Sequence, residues 1–592
     1  MVLGYRIKRQ DPLFRILFKK GWKLSLLTFF GLTFKDVDCG FKMIRKSVLE
    51  NIPHLESTRG AMINAELAIK TRKYGFKVTQ VGVNHYPRLS GKPTGGSIRV
   101  IVKSFLDLLR LWWKLKEQKI LFMLLLAVLA LAAFLRLYKI DEYMIFLGDQ
   151  GRDAIIVKNM IDDLHFPAIG PPTSVGNIYL GPLYYYMMLL PMVLTNFNPV
   201  SASWMVAMIG VATVFLVYYL GKSWFGRGAG LLAAYLYAIS PVTVNYSRFS
   251  WNPNPLPFFA FVAILGMVKL QKTNNFFWLI LTGFALGAAL QMHYLALVLI
   301  PVIVTLWLYQ VIQEKKKNFL KGTLLGLGAF LLVMSPLFWF DIRHNFLNYK
   351  AVTALFGKGE AVGINLFSNI GRIPEIYNNV LIGRYMAGEN ILLSAFLSLT
   401  VLALLIYWFI KRKVILAVWV VVGLLGLSFY QNDIYDHYPG FLNPAPYLLL
   451  GSLLALRKFK WAIAGLVIII TIVNLQKNPL FNSPNNQLKR TQEIAEFVIN
   501  KAGGQDFNFA LLAKNNYDSA YQFYLEVYGY EPKKLPFEKT EQLFVVCEDE
   551  VCEPIYSPKH EIAAFGWTLV DKEWDFAGVK IYKLVHNPKE PQ

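Results

Sequence analysis

The chain has 592 residues, of which 55% are hydrophobic, 15% are aromatic and only 17% are charged. This composition excludes a disordered chain and an ordinary soluble enzyme, because many apolar runs approach the ~20 residues that a helix needs to cross a bilayer. The net charge of +23 would suggest a nucleic acid partner in a soluble protein, but much of the Lys and Arg lies in short loops, where it sets the orientation of membrane helices. We therefore expect a polytopic α-helical membrane protein with no nucleic acid partner.

Residues 1–118 form a mixed and basic region that differs from the rest of the chain. Its first part, Asp11–Leu32, alternates Lys and Arg with Phe, Leu and Trp, as helices in the headgroup layer do. A DVDCGF turn (Asp36–Phe41), a predicted helix that carries Glu66 and a strand-like segment with Arg88-x-x-Gly91 follow in that order. This order resembles the C-terminal third of family-2 glycosyltransferases, the polyprenyl-phosphate mannose or glucose synthases. The resemblance implies an α/β fragment like the acceptor half of such an enzyme.

One part of that family's pattern is missing. The nucleotide-binding half with its Asp-x-Asp metal site does not precede residues 1–118, and Asp36-x-Asp38 lies in the acceptor half, so it only looks like that site. We expect that the true start of the chain lies upstream or that the segment is a relic; a second chain that supplies the missing half is a further alternative. A divalent metal is expected only if a complete family-2 half exists upstream, and the chain alone is not expected to use a nucleotide sugar.

Basic residues predict how the chain lies in the membrane. Lys114, Lys116 and Lys119 precede the first strongly apolar segment, and because cytoplasmic loops are rich in Lys and Arg, the N-terminal region is predicted to be cytoplasmic. The later basic turns that agree are Lys269 and Lys272, Lys315–Lys317, Lys411–Lys413, and Arg457 with Lys458 and Lys460. Lys222 and Arg227 disagree, unless the first of the two apolar blocks before them, roughly Tyr179–Thr195, is re-entrant or lies along the membrane, since Pro182 and Pro191 break it. We predict about eleven or twelve spans within residues 119–477.

From residue 478 to 592 the composition becomes that of a soluble domain. Helical and strand-like segments alternate there, which predicts a small α/β domain on the exterior side. Cys547 and Cys552 lie in this domain as CEDEVC, whereas Cys39 is on the predicted cytoplasmic side. A pair outside and a single Cys inside fit a disulfide in an oxidising compartment. The same spacing is also compatible with half of a metal site.

The polar segment Gly148–Asp153, with the sequence GDQGRD, lies between the first apolar helix and the next apolar block. Its charges exclude lipid burial, so it is predicted to be a loop or a surface helix on the exterior side. It is followed by PLYYY (Pro182–Tyr186), a FGRGAG turn (Phe225–Gly230) and SPVTVNYSRF (Ser240–Phe249). In this order, these motifs resemble the GT-C membrane glycosyltransferases of the protein O-mannosyltransferase and lipid A aminoarabinose transferase group.

The GT-C resemblance implies an enzyme of the cell membrane with a polyprenyl-phosphate sugar as donor. It also implies an exported protein, lipid or glycan as acceptor, and no cofactor at this site. Asp149 takes the position of the family's catalytic carboxylate, and the chemistry needs a base there for the acceptor proton. Many relatives carry an Asp where this chain has Asn252 or Asn254. The expected substrate contacts, several of them cations for the lipid phosphate, are Arg152, Asp153, Arg248, Asn252, His293, Arg343, His344 and His437.

Each of these residues also has a simpler interpretation. Asp153 lies four residues after Asp149 and could only pair with Arg152, His293 could be a packed residue, and Tyr184–Tyr186 could form an interfacial aromatic belt. Two other functions stay open, a transporter or flippase of a lipid-linked sugar and a non-catalytic scaffold for a glycosyltransferase partner. A transporter should bury ionisable residues within its spans, and the spans are nearly free of them, so the sequence favours an enzyme.

Overall fold

The computed structural model describes the whole chain except residues 8–12, 56, 58–60, 85, 87–97, 174–177, 274, 314–318, 358–369, 431–432, 457–459, 556 and 589–592. The predicted Arg88-x-x-Gly91 motif and the basic turn at 315–317 lie outside the described residues. The chain divides into two compact units, Met1–Leu124 and Leu125–Gln592.

The first unit contains a three-stranded sheet. Strand β1 (Val2–Arg6) lies in the middle, antiparallel to β2 (Lys42–Met43) and parallel to β3 (Thr79–Val83). Its helices are α1 (Leu13–Phe30), α2 (Lys46–Asn51), α3 (Ala61–Lys73) and the first part of α4 (Ile98–Leu137). Apolar side chains of the sheet and the helices, such as Leu3, Leu26 and Ala65, form one buried cluster. The predicted α/β character of this region is present, and its likeness to a family-2 enzyme stays a prediction.

The second unit begins within α4 and is mostly helical. Its helices up to residue 357 are α5 (Ile140–Tyr143), α6 (Gly148–Asp162), α7 (Leu183–Leu194), α8 (Val200–Phe225), α9 (Arg227–Ile239), α10 (Pro241–Asn245), α11 (Leu256–Thr273), α12 (Trp278–Met292), α13 (Leu299–Gln313), α14 (Phe319–Arg343) and α15 (Leu347–Gly357). They are followed by α16 (Ile373–Glu375), which continues as a π-helix over Ile376–Arg384, and by α17 (Ile391–Ile410), α18 (Val414–Ser428), α19 (Pro444–Gly451) and α20 (Lys460–Gln476).

Among the described residues, six helices are long and apolar enough to cross a membrane. They are Val102–Leu137 of α4, α8, α11, Tyr294–Gln313, α14 and α17, and shorter apolar helices are α7, α12, α18, Pro444–Leu456 and α20. This architecture confirms the predicted polytopic helical class. The block with two prolines forms only the twelve-residue α7, with Pro191 inside it. The segment whose crossing of the membrane was left open is therefore short. Sidedness and the number of crossings stay predictions.

Small residues bring the helices of this bundle into close contact. A Cβ atom added to Gly283 of α12 would lie 1.9 Å from the carbonyl oxygen of Gly326 in α14, and one added to Gly221 of α8 would lie 2.8 Å from the Cα of Gly230 in α9. Helices pack this closely only where side chains are absent, as is common in membrane bundles. These glycines therefore fix the packing that holds the other helices in place.

The last part of the chain forms a C-terminal domain around a four-stranded sheet. Its elements are α21 (Gln487–Ala502), β4 (Asn508–Leu512), α22 (Ser519–Val527), β5 (Gln542–Cys547), α23 (His560–Phe565), β6 (Thr568–Phe576) and β7 (Val579–His586). The strand order is β4-β5-β7-β6, with β4 parallel to β5 and the other neighbours antiparallel. The predicted α/β domain is thus confirmed. Cys547 and Cys552 are joined as a disulfide, with their Cα atoms 6.3 Å apart.

The C-terminal domain packs against the segment that leads into α6. Phe146 makes edge-to-face contacts with Phe523 and Tyr524, at centroid distances of 5.9 and 5.8 Å. A Cβ added to Gly151 of α6 would lie 2.3 Å from the backbone nitrogen of Ala520 in α22. The domain and the GDQGRD segment therefore form one packed structure.

Candidate functional site

The GDQGRD segment is the first turn and a half of helix α6, not a loop. The side chain of Gln150 accepts a hydrogen bond from the backbone nitrogen of Leu147 at 3.0 Å, which satisfies one of the free donors at the start of the helix. Asp149 lies in the first turn, where a negative charge interacts favourably with the helix dipole. Because residues three and four apart share a helix face, Arg152 and Asp153 point to the same side as Asp149.

Arg152 lies between the two carboxylates. Its Nη1 donates to Oδ1 of Asp149 at 2.9 Å, and its Nε and Nη2 donate to Oδ1 of Asp153 at 3.0 and 2.7 Å. The two acids differ in exposure: the Asp149 side chain is 39% exposed, whereas that of Asp153 is 1% exposed. Asp149 is therefore the carboxylate that a substrate can reach, and Asp153 holds the guanidinium from behind.

Asp153 is buried in an unusual way. Its Oδ2 atom is enclosed and has no hydrogen-bond partner among the residues that the structure describes. Burial raises the pKa of Asp153 to about 6, although Arg152 lies beside it and favours the ionised form. The predicted simpler interpretation, pairing with Arg152, is what the contacts show, and a direct substrate contact stays a prediction.

The C-terminal domain adds a residue that the sequence did not identify. The hydroxyl of Tyr517 donates to Oδ1 of Asp149 at 2.5 Å and accepts from Nη1 of Arg152 at 3.1 Å. Next to it, Oδ1 of Asn516 accepts from the backbone nitrogen of Gly148 at 2.9 Å. Both residues lie in the loop between β4 and α22. The candidate site is thus built from two parts of the chain that are far apart in sequence.

Two of the predicted contacts bind backbone groups instead of facing the carboxylates. Arg248 is buried and donates to the carbonyls of Leu135 and Tyr138, each at 2.7 Å, at the end of α4. Burial also lowers the pKa of Arg248 to about 10. Asn252 is buried and donates through Nδ2 to the carbonyl of Met292 at 2.7 Å. Their substrate contacts stay predictions, and the contacts seen are those of residues that hold helices together.

The two predicted histidines lie together in an aromatic cluster. The rings of His293 and His437 are 5.3 Å apart, and the ring of Trp251 is 4.6 Å from that of His437. Burial lowers the pKa of His437 to about 4 and that of His293 well below its usual value. Both are therefore neutral near pH 7. Nδ1 of His437 is buried and has no hydrogen-bond partner in the described part of the chain, whereas Nδ1 of His293 accepts from Leu295.

Tyrosines of the PLYYY motif lie between the carboxylates and this cluster. Tyr185 lies beside Arg152 and Asp153, and the hydroxyl of Tyr184 is 2.6 Å from Oγ of Ser250, which precedes Trp251. Tyr184 and Tyr185 are buried, so they are not residues of an interfacial belt, while Tyr186 is more than one-third exposed. A band of hydroxyl and aromatic groups thus begins at Asp153 and reaches towards the histidines.

Arg343 and His344 lie at the end of α14, and no described contact joins them to α6. The His344 ring stacks on Phe340 at 4.0 Å, and the Arg343 guanidinium lies 5.9 Å from the centre of the Trp339 ring. Both side chains are exposed. Nδ1 of His344 also lies 2.8 Å from the carbonyl oxygen of Phe340. These are the contacts of anchoring residues, and phosphate binding by Arg343 and His344 stays a prediction. The described residues contain no group of three His, Cys, Asp or Glu side chains that could hold a metal ion.

Parts of the chain are similar to proteins that are named as mannosyltransferases. A model of the dolichyl-phosphate-mannose-protein mannosyltransferase family matches residues 180–340. YycA of Bacillus subtilis (strain 168), which carries a provisional assignment as a mannosyltransferase, is 29% identical over 221 residues, or 36% of this chain and 31% of YycA. The chain therefore spans about a third of the length of this curated relative.

Two crystal structures of ArnT from Cupriavidus metallidurans have a similar fold. The apo structure matches with a TM-score of 0.53 at 14% identity, and the structure bound to undecaprenyl phosphate with 0.50 at 13%. Each match covers 78% of this chain and 97% of ArnT. Together these findings confirm the predicted fold and the predicted resemblance to GT-C membrane glycosyltransferases.

Proposed function

We propose that the chain is a membrane glycosyltransferase that moves a sugar from a polyprenyl-phosphate carrier to an acceptor hydroxyl, with Asp149 as the general base. The observation that carries the proposal is the state of the Asp149 carboxylate. Oδ1 accepts two hydrogen bonds, from Arg152 and Tyr517, while Oδ2 has no partner among the described residues. Since the side chain is 39% exposed, Oδ2 can accept a proton from an incoming hydroxyl.

The proposed reaction forms one bond to the sugar, breaks one and transfers one proton. The acceptor oxygen forms a bond to the anomeric carbon of the sugar while the bond from that carbon to the phosphate oxygen breaks. The hydroxyl proton passes to Oδ2 of Asp149, and the polyprenyl phosphate leaves with the electron pair of the broken bond. Negative charge grows on the phosphate, so nearby cations stabilise the transition state.

The neighbours of Asp149 fit this chemistry. Arg152 is held by both carboxylates, so it keeps the base oriented.

The exposed Arg343 and His344 remain the proposed contacts of the lipid phosphate. The carrier is supported by the structure of ArnT with undecaprenyl phosphate, and the matched mannosyltransferase family supports mannose as the first sugar to test. The acceptor is an exported protein, lipid or glycan, as the resemblance implies.

The test replaces Asp149 with Asn in the full chain, reconstituted in liposomes with labelled polyprenyl-phosphate mannose and an extract of envelope proteins and glycans. General-base removal should lower release of free polyprenyl phosphate by ~10²- to 10⁴-fold, with donor binding retained. The matched control is Asp162→Asn, since Asp162 lies in the same helix, is 42% exposed and pairs only with Lys158 in the described structure.

Two outcomes would contradict the proposal. Near-normal turnover of the Asp149→Asn chain would remove Asp149 from the reaction and would be expected of a non-catalytic scaffold. Passage of the labelled lipid across the bilayer with its sugar–phosphate bond intact, and no release of polyprenyl phosphate by the unaltered chain, would identify a transporter.

A further inference from the structure

We propose that Tyr517 of the C-terminal domain is a positioning residue for the reaction, which acts by fixing the carboxylate of Asp149. The inference rests on the proposed role of Asp149. It means that the C-terminal domain is part of the active centre and not a separate module, because one of its side chains sets which carboxylate oxygen meets the acceptor.

The hydrogen bonds around Tyr517 carry this proposal. Its hydroxyl is part of a closed triangle: it donates to Oδ1 of Asp149 at 2.5 Å, accepts from Nη1 of Arg152 at 3.1 Å, and the same Nη1 donates to Oδ1 at 2.9 Å. A carboxylate held at one oxygen by two donors has little freedom to rotate. Oδ2 is then the oxygen left for a proton from the acceptor.

The tyrosine itself is poorly suited to take that proton. Burial raises the pKa of Tyr517, and the carboxylate of Asp149 beside it works in the same direction. Its hydroxyl therefore stays protonated near neutral pH. A neutral donor that stays in place orients the base, which is the function of a positioning residue.

The packing of the domain explains why Tyr517 cannot move away easily. A Cβ on Gly148 would lie 2.5 Å from the ring of Tyr517, so the ring lies directly on the start of α6. Asn516 binds the backbone nitrogen of Gly148 and also donates to Oε2 of Glu548 at 3.0 Å. Glu548 in turn accepts from Tyr521 at 2.5 Å.

The position of these residues in the sheet supports a functional role. Strands β4 and β5 are parallel neighbours, so their carboxyl ends meet at one edge. Asn516 and Tyr517 follow β4, and Glu548 follows β5 directly. In open α/β sheets this edge is where functional loops gather. The C-terminal domain thus presents its functional edge to the carboxylates of α6.

The test is Tyr517→Phe in the reconstituted full chain. Phe keeps the ring that packs on Gly148 and removes only the hydroxyl, so the fold should be retained. Loss of one hydrogen bond to a charged group predicts a fall in kcat of ~10- to 100-fold with a nearly unchanged KM for the lipid donor.

The matched control is Tyr528→Phe, which removes a tyrosine hydroxyl bound to a carboxylate, Glu496, at 2.8 Å in the same domain. It should leave kcat and the KM for the lipid donor in place. A second measurement combines Tyr517→Phe with Asp149→Asn. If Tyr517 acts through Asp149, the double variant is no slower than Asp149→Asn alone, whereas a purely structural loss would multiply the two effects.

The outcomes separate this inference from the proposed function. An inactive Asp149→Asn chain together with a Tyr517→Phe chain of unchanged kcat would overturn the inference and leave the proposed function intact. A fully active Asp149→Asn chain would overturn the proposed function first. Multiplicative effects in the double variant would also overturn the inference, because Tyr517 would then act independently of the base.

Discussion

Replacing Asp153 with Asn tests the cost of holding a carboxylate in the interior of the site. The pKa of Asp153 is about 6 in the folded chain, compared with 3.8 for the free side chain. Folding therefore favours the protonated form, and the stabilisation that protonation gives is fully present below pH 3.8 and is lost as the pH rises through about 6. A difference of about two pKa units corresponds to about 3 kcal/mol. The native chain should be less stable at pH 7.5 than at pH 4 by this contribution.

The Asn variant lacks this titration. Its side-chain oxygen can still accept from Arg152, so the geometry of the site should be kept. The measurement is the thermal midpoint of the native chain and of the Asp153→Asn chain in detergent between pH 4 and 7.5. We expect the thermal midpoint of the variant, relative to that of the native chain, to rise by a few degrees between pH 4 and pH 7.5. Asp162→Asn, at an exposed position of the same helix, should follow the native curve. Parallel curves for native and Asp153→Asn chains would refute the reasoning.

Two further predictions concern how the C-terminal domain is held. Gly151→Ala places a Cβ atom 2.3 Å from backbone of α22, so it should destabilise docking by ~1–3 kcal/mol and speed protease release of the domain. Gly465→Ala, where nothing lies within 4 Å, should not. Replacing Cys547 and Cys552 with Ser removes the link that closes the loop around Glu548, so the melting temperature should fall by several degrees; an unchanged value would show that the loop is held by other contacts.

The class of the protein and the content of its C-terminal domain could be predicted because both depend on local patterns. Long apolar runs identify membrane helices whatever their partners, and short runs rich in Val, Phe and Tyr identified β4, β5 and β7. The spacing of Asp149, Arg152 and Asp153 also placed the three side chains on one face once the segment was a helix. Strand β6, with charged residues in its middle, lacked such a pattern and was not predicted.

The roles of charged residues were harder to predict from the sequence. Arg248 was predicted as a phosphate contact because an exterior arginine suits that ligand. A buried guanidinium must find acceptors for its N–H groups, and the carbonyls at the end of α4 supply them. The sequence gives the charge of a side chain but not its burial. Burial determines whether an arginine can bind a substrate or binds backbone carbonyls instead.

The contact between Tyr517 and Asp149 joins residues 368 positions apart, a distance over which periodicity carries no information. One signal was nevertheless present in the motif. Glycine is unfavourable inside a helix, yet Gly148 and Gly151 both lie in the first turn of α6, and each has backbone or ring atoms of the C-terminal domain where a Cβ would be. In α6, these two glycines mark the place where another part of the chain packs directly on the start of the helix. Here that part brings the tyrosine which leaves Asp149 with a single open oxygen.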